Sequence, residues 1–373
     1  MTILRPTWVE VDLEAIAHNV RAFAFEGSEV MAVVKADAYG HGDAPVARAA
    51  LDAGATWLGV ALVEEGLSLR AAGLDAPILV LSECPPGSEV AAVAAALTPT
   101  LCSDGGLERL AAVARTVERP IDVHVKVDTG MHRIGVWPPD AAAPFVGRVA
   151  AAGLGVEGLW THLACAETDE VTTKHQLDLF AETLDQVRGA GHEPRLVHAA
   201  NTAGALGYPE ARFDLVRPGI GLYGVAPAEG LGEEAGLRPA MRWRTEVSFV
   251  KRLPAGRRLS YGHRYRLSDD AWVATVPVGY ADGYARTLSS RADVLIGGRR
   301  CRVAGSVTMD QLIVDCGDLE PDVGDEVVLL GPQGPEAITA WELARLSGTI
   351  AYEIVTTVGA RVPRRHAVGG EAS

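Results

Sequence analysis

The sequence predicts an α/β protein, a (β/α)8 barrel of the TIM type followed by a mainly β C-terminal domain. Three observations predict it. Short apolar runs alternate with alanine-rich helical stretches about eight times within the first ~230 residues, the pattern of a closed βα barrel. From Met241 onward β-forming residues dominate and helical stretches nearly vanish. Between the two regimes lies Glu229–Pro239, rich in Gly and Glu, so the expected domains are residues 1–235 and 236–373. A doubly wound sheet stays open as an alternative, because periodicity alone does not close a barrel.

In chain order, Val30–Val34 reads as the first buried strand, and it runs directly into Lys35. Further strands are expected at Trp57–Ala61, Ile78–Leu81, Thr98–Cys102, Ile121–Val127, Val156–Thr161, Leu196–Ala199 and Leu215–Arg217. Helical periodicity marks Ala44–Ala53, Glu64–Ala72, Gly105–Val117, Pro139–Ala152 and Thr173–Ala190. Beyond the junction, strands are expected at Trp243–Val250, Trp272–Val278, Asp293–Ile296, Cys301–Val303, Gln311–Asp315 and Glu326–Leu330, separated by Gly, Pro and Asp turns. One helix is expected at Ala337–Ser347, followed by Ile350–Val355. The tail from Ala367 is small and polar enough for disorder.

Composition narrows the function. A chain of 373 residues accommodates two domains, and 48% hydrophobic residues supply a sizeable core. A formal charge of −14 argues against a nucleic-acid surface, which needs a basic patch. Cys84, Cys102, Cys165, Cys301 and Cys316 are scattered singly, so neither a zinc knuckle nor a disulfide framework is expected. Reduced thiols fit a cytoplasmic protein. Met1–Glu14 lacks the basic start and apolar core of a signal peptide. No apolar run reaches the ~20 residues that span a membrane.

Barrel enzymes build their sites from the carboxyl ends of the strands. The first end reads Val33-Val34-Lys35-Ala36-Asp37-Ala38-Tyr39-Gly40-His41-Gly42. A partly desolvated amine there is a usable nucleophile or base, although a lone lysine is as well explained by snorkelling. The fifth end, His124-Val125-Lys126-Val127-Asp128-Thr129-Gly130-Met131-His132-Arg133-Ile134-Gly135, is too densely polar for packing alone. Arg133 suits a carboxylate, and an inward Lys126 needs a negative partner or a changed protonation state. The sixth end is Thr161-His162-Leu163, and the seventh is His198-Ala199-Ala200-Asn201-Thr202-Ala203. The eighth, Asp214-Leu215-Val216-Arg217-Pro218-Gly219-Ile220-Gly221-Leu222-Tyr223-Gly224, offers backbone amides to an anion at the usual phosphate position. A single histidine at a strand end is most often a hydrogen-bonded core residue; two beside Arg217 form a constellation.

These motifs resemble those of alanine racemases, pyridoxal-phosphate enzymes of the barrel-type fold. The resemblance continues in Ser260-Tyr261-Gly262-His263-Arg264-Tyr265, Val278-Gly279-Tyr280-Ala281-Asp282-Gly283-Tyr284, Gly305-Ser306-Val307-Thr308-Met309-Asp310-Gln311 and Ala351-Tyr352-Glu353-Ile354, in the family's order and spacing. It covers nearly the whole chain. The resemblance implies that Lys35 holds pyridoxal phosphate and is one catalytic base. Tyr261, from the partner subunit of a head-to-tail homodimer, is the other. Tyr39, His162, Asn201, Thr202, Arg217, Gly219, Ile220 and Tyr352 are then cofactor-binding, with His198 supporting Arg217. Arg133 meets the substrate carboxylate, the backbone near Met309 helps, Tyr280 guards entry and Asp310 is supporting. Lys126 is carbamylated in many members and holds the arginine in place. The implied substrate is alanine, the implied role D-alanine biosynthesis for peptidoglycan precursors, and no metal is expected.

Arginine stays protonated under enzymatic conditions. By resemblance Arg217 faces the pyridine nitrogen, to which it donates without surrendering a proton. That leaves the ring a weaker electron sink and favours proton removal and return over other chemistry. Barrel-type decarboxylases of ornithine, arginine or diaminopimelate place a carboxylate there. Three alternatives stay open: such a decarboxylase, against which Arg217 argues, a metal-dependent barrel hydrolase using His124, His162 and His198, and a non-catalytic cofactor-carrying barrel.

Overall fold

The computed structural model describes residues 4–367, and the chain divides into two compact units. One comprises residues 15–38 and 43–238. Its eight parallel strands are Glu29–Val33, Trp57–Val60, Ile78–Glu83, Thr98–Leu101, Asp122–Lys126, Gly155–Trp160, Leu196–His198 and Leu215–Val216. The first seven pair with one another in sequence order, and Leu215–Val216 pairs with Glu29–Val33. The last seam carries two backbone bonds, Asp214 N to Val197 O and Arg217 N to Ala200 O, both 3.0 Å. The ring is therefore a nearly closed barrel, and a doubly wound sheet, which would leave two edges, is excluded.

Burial on both faces explains why the strands read as unbroken apolar runs. Val30, Met31, Ala32 and Val33 are all buried, and each large side chain among them stabilises the fold by about 1.5–3 kcal/mol. Met31, Trp57, Leu79, Leu196 and Leu215, near the starts of their strands, form an apolar plug with Leu81 against it. The buried polar side chains of the strands, Thr100, His124, Lys126 and His198, lie in the middle or at the carboxyl ends. The helix Glu89–Ala94 was not expected; its six residues are too few to show a periodicity.

The other unit comprises residues 4–14, 39–42 and 239–367. Its main sheet runs Phe249–Leu253, Ala271–Val276, Leu312–Gly317, Arg299–Val303, Asp293–Ile296, Glu326–Gln333, Met241–Glu246, Thr7–Asp12 and Arg364–Ala367, with Glu336–Ile338 paired to Glu326–Gln333. Residues 4–14, expected in the barrel domain, thus supply a strand here instead, and residues 1–3 lie outside the described residues. Thr7–Asp12 alternates buried with half-buried residues and pairs antiparallel with Met241–Glu246, Val9 opposite Trp243. Such alternation suits a sheet with one covered face rather than a barrel strand buried on both.

The expected strand Trp243–Val250 is two, Met241–Glu246 and Phe249–Leu253. Val247 N bonds to Asp325 O and Ser248 N to Thr275 O, so the chain changes partner strand between them. The helix expected from Ala337 starts at Ala340, where the Thr339 side chain accepts from Glu342 N and caps it. Residues 351–356 form a second helix. Ala367 closes the strand Arg364–Ala367, and the rest of the expected disordered tail lies outside the described residues. No helix among the described residues is long and apolar enough to cross a membrane.

Candidate active site

Lys35 leaves the first barrel strand into a turn of unusual hand. Ala36, Asp37, Ala38 and Tyr39 have φ of 53, 54, 51 and 53°, and Gly40 has 81°. A left-handed conformation costs roughly 1–2 kcal/mol per non-glycine residue. Glu65 helps hold it: its carboxylate accepts from Ala36 N at 2.6 Å and from Ala61 N at 2.7 Å. Asp37 accepts from Asp43 N at 2.9 Å. Burial, then the charge of Arg133, lowers the Lys35 pKa against the opposing pull of Glu65. The amine is therefore easier to deprotonate than an ordinary lysine.

The fifth strand carries Lys126, 3% exposed, with Nζ 4.5 Å from the centre of the Trp160 ring. Burial, then Arg133 and Arg217, lowers its pKa to about 7. In the following loop, Asp128 accepts from Gly130 N at 3.0 Å and His132 N at 2.9 Å. That fold of the loop brings Arg133 out to an exposed position. Gln176 ties the loop to the sixth strand end through Thr129 Oγ1 and His162 O, each 3.3 Å.

Arg217 is the best-anchored of the expected residues. Nη1 donates to His198 Nδ1 at 2.8 Å, and Nη2 donates to Thr161 O at 2.8 Å and Ala199 O at 3.0 Å. His162 Nδ1 lies 3.4 Å from Nη2. The guanidinium sits 4.8 Å from the centre of the Trp160 ring, which also stacks on His198 at 5.5 Å. Burial lowers the Arg217 pKa to about 9, still charged at neutral pH. Burial and then Arg217 push His162 and His198 well below the usual histidine range, so both are neutral. His198 and His124 bond to each other at 2.8 Å, with Arg217 on the far side of His198. That pairing occupies both ring nitrogens of His198 and Nδ1 of His124, and among the described residues no group of three or more His, Cys, Asp or Glu could hold a metal ion.

The loops after the seventh and eighth strands interlock. Thr202 Oγ1 accepts from Gly219 N at 2.9 Å and Gly221 N at 3.3 Å. Asn201 Oδ1 accepts from Gly204 N at 2.8 Å and caps the helix Thr202–Gly207, which leaves the donor role to its Nδ2. Thr202 and Ile220 are the first residues of their helices, so their N–H groups have no intrahelical acceptor. Amine, guanidinium, hydroxyl and amides make a set weighted to donors, which fits an anionic aromatic cofactor carrying a phosphate and a basic ring nitrogen.

In the mainly β unit, Tyr39 and Tyr352 pack ring against ring at 6.4 Å. Arg364 Nε donates to Gly40 O at 2.9 Å and fixes that segment. Tyr280 and Met309 come together: Tyr280 N bonds to Thr308 O at 2.9 Å and Ala281 N to Met309 O at 3.0 Å. Arg361 Nη2 pairs with Asp310 at 2.9 Å. Tyr261 is 76% exposed, on a turn where Ser260, Gly262 and His263 all have positive φ. Ser260 Oγ donates to Ser306 O at 2.9 Å and braces that turn.

Sequence reasoning missed Trp160, Thr161 O and Ala199 O around Arg217, and the left-handed turn. Backbone acceptors and a positive φ at alanine leave no composition signal. Trp160 left a faint one: Gly158, on the same face of its strand, pairs with His124, and a Cβ there would overlap the His124 ring.

The family model described as alanine racemase, N-terminal domain, matches residues 11–227, and that described as alanine racemase, C-terminal domain, matches residues 240–366. The chain is 49% identical over 377 residues to the alanine racemase of Symbiobacterium thermophilum, covering 99% of each. It is 46% identical over 367 residues to that of Frankia casuarinae, covering 95% of each. The crystal structure of alanine racemase from D-cycloserine producing Streptomyces lavendulae superposes with a TM-score of 0.93 at 41% identity, over 99% of this chain and 98% of that one.

Proposed function

The chain belongs to the alanine racemase family, and from that premise we propose that it interconverts L-alanine and D-alanine by two-base proton transfer at the α-carbon. Pyridoxal phosphate, when bound, supplies the electron-withdrawing system that acidifies the α-hydrogen. The chain supplies everything else. Lys35 would hold the cofactor through its amine, and its free amine would act as base on one face. Tyr261, from a second copy of the chain, acts on the other; its exposure leaves it available for that. In the L-to-D direction Tyr261 takes the α-proton and Lys35 returns one to the opposite face; in reverse the roles exchange. A phenol of ordinary pKa ~10 needs help near neutrality, and His162 beside Arg217 is the candidate relay.

The observation that carries the reading is the setting of Arg217. A guanidinium held by one histidine and two carbonyls would donate to the cofactor's ring nitrogen and leave it unprotonated, where a decarboxylase would present a carboxylate. Asn201, Thr202, Gly219 and Ile220 would line the phosphate, Tyr352 would reach it, and Tyr39 would contact the cofactor. Arg133 grips the substrate carboxylate, helped by the backbone at Met309. Lys126, whose pKa burial, Arg133 and Arg217 lower to about 7, would take up carbon dioxide as a carbamate and hold Arg133 in place. Tyr280 guards entry, and Asp310, paired with Arg361, supports that loop. A homodimer with shared sites, D-alanine supply for peptidoglycan and a cytoplasmic location complete the proposal.

The test is to incubate the purified holoenzyme with L-alanine and follow the chirality of the pool. Drift to equal enantiomers is expected, and Lys35→Ala should abolish both the drift and the bound-cofactor absorbance. An L-alanine pool left untouched by a yellow, cofactor-loaded protein would overturn the substrate assignment.

A further inference from the structure

A line of side chains crosses the barrel interior from Arg217 towards the strand starts. Arg217 Nη1 is a donor only, so His198 Nδ1, 2.8 Å away, accepts and its proton lies on Nε2. That proton points at His124 Nδ1, also 2.8 Å away, so the His124 proton lies in turn on Nε2. His124 Nε2 is buried without a hydrogen-bond partner and faces Glu157 Oε2 at 3.7 Å. Glu157 pairs with Arg195 at 2.7 Å, and Arg195 with Glu29 at 3.3 Å. Glu157 and Arg195 both line a cavity of about 310 Å³ in the barrel unit. Gly158, next to Glu157, provides the room that the His124 ring occupies.

We propose that Glu157 and His124 are positioning residues for Arg217: the Glu157 carboxylate fixes the proton order of both histidines and thereby holds the guanidinium towards the cofactor's ring nitrogen. The proposal rests on the reading of Arg217 as the partner of that nitrogen. Reversing either ring would set two protons face to face, at His124–His198 or at His198–Arg217, in a fully buried place where neither finds water. Burial lowers His124, while Glu157 opposes that fall. His124 first, then Arg195, holds the Glu157 carboxyl below the usual range, so it is ionised at neutral pH. The negative end of the line is thus maintained where solvent reaches it, and its effect passes inward through two neutral rings.

The test uses cofactor-free protein and two ligands, pyridoxal phosphate and its deaza analogue, in which ring C–H replaces the nitrogen. Dissociation constants are read by absorbance titration. Wild type should bind pyridoxal phosphate more tightly than the analogue. Glu157→Leu should weaken pyridoxal phosphate about tenfold and leave the analogue within about twofold, the scale of one charge-assisted hydrogen bond. Glu157→Gln, which keeps an acceptor oxygen for His124, should restore most of the loss, and Arg195→Leu should bind both ligands as wild type does. Equal weakening of both ligands in Glu157→Leu, or a Gln variant no better than Leu, would overturn the proposal. If wild type bound both ligands equally, the placement of Arg217 against the nitrogen would itself fall, and the proposal with it; racemisation of L-alanine would then be judged separately by its own assay.

Discussion

Lys126→Met tests whether the fifth strand end is as desolvated as its neighbours imply. The wild-type amine is 3% exposed, and burial with Arg133 and Arg217 lowers its pKa from 10.5 to about 7. That difference, at ~1.4 kcal/mol per pH unit, costs the folded state about 5 kcal/mol when the amine is charged. Below pH 7 both folded and unfolded states hold the proton and the full cost applies. Between pH 7 and 10.5 only the unfolded chain holds it, so stability rises with pH, and about 2 kcal/mol of cost is left at pH 9. Above 10.5 the cost is gone. Methionine keeps the length and has no charge to desolvate. At pH 7 the folded amine is half titrated and about 4 kcal/mol of cost applies, so in buffers stripped of carbon dioxide the unfolding free energy of wild type relative to Lys126→Met should climb by about 2 kcal/mol from pH 7 to pH 9. Urea unfolding followed by tryptophan fluorescence measures it. A difference flat to within ~0.5 kcal/mol, the scatter of such comparisons, would refute the reasoning. Adding ¹³C-bicarbonate should then raise wild-type stability and give a carbamate carbon signal that Lys126→Met lacks.

Other substitutions probe separate supports. Gly40→Ala places a Cβ 2.5 Å from Val355 O at φ 81°, so strain and overpacking together should cost about 2–5 kcal/mol in thermal unfolding. Thr202→Val removes the acceptor for Gly219 N and Gly221 N; at ~1–3 kcal/mol for each buried N–H left unsatisfied, it should lower stability and weaken retention of the phosphate group in an absorbance titration. Tyr261→Phe at an exposed position should change stability by less than ~0.5 kcal/mol while slowing L-alanine turnover about 10²- to 10⁴-fold, the usual scale of a lost general acid or base. Near-normal turnover of both enantiomers by that variant would remove Tyr261 from the two-base assignment.

The barrel was legible because its signal is local. An apolar run such as Val30–Val34 must be buried on both faces wherever it lies, and a lysine ending that run is pushed to the strand end. The motifs around Lys35, Lys126, Arg133 and Arg217 are likewise contiguous, so their order alone carried the expected site residues. Thr7–Asp12 was assigned to the wrong unit because pairing with Met241–Glu246 joins residues more than 200 positions apart, and an alternating hexapeptide does not name its partner. The left-handed course of Ala36–Tyr39 is set by Glu65 and Asp43 against the intrinsic preference of alanine. That Asn201 Oδ1 caps the following helix depends on where that helix starts, which the local residues do not mark. Trp160 under both cations, and the line Glu157–His124–His198–Arg217, draw on the fifth to eighth barrel strands and the residues that follow them. Closing the ring turns these side chains inward, and inside it protons must be ordered and charges held without water, a constraint that no one of the strands carries in its own residues.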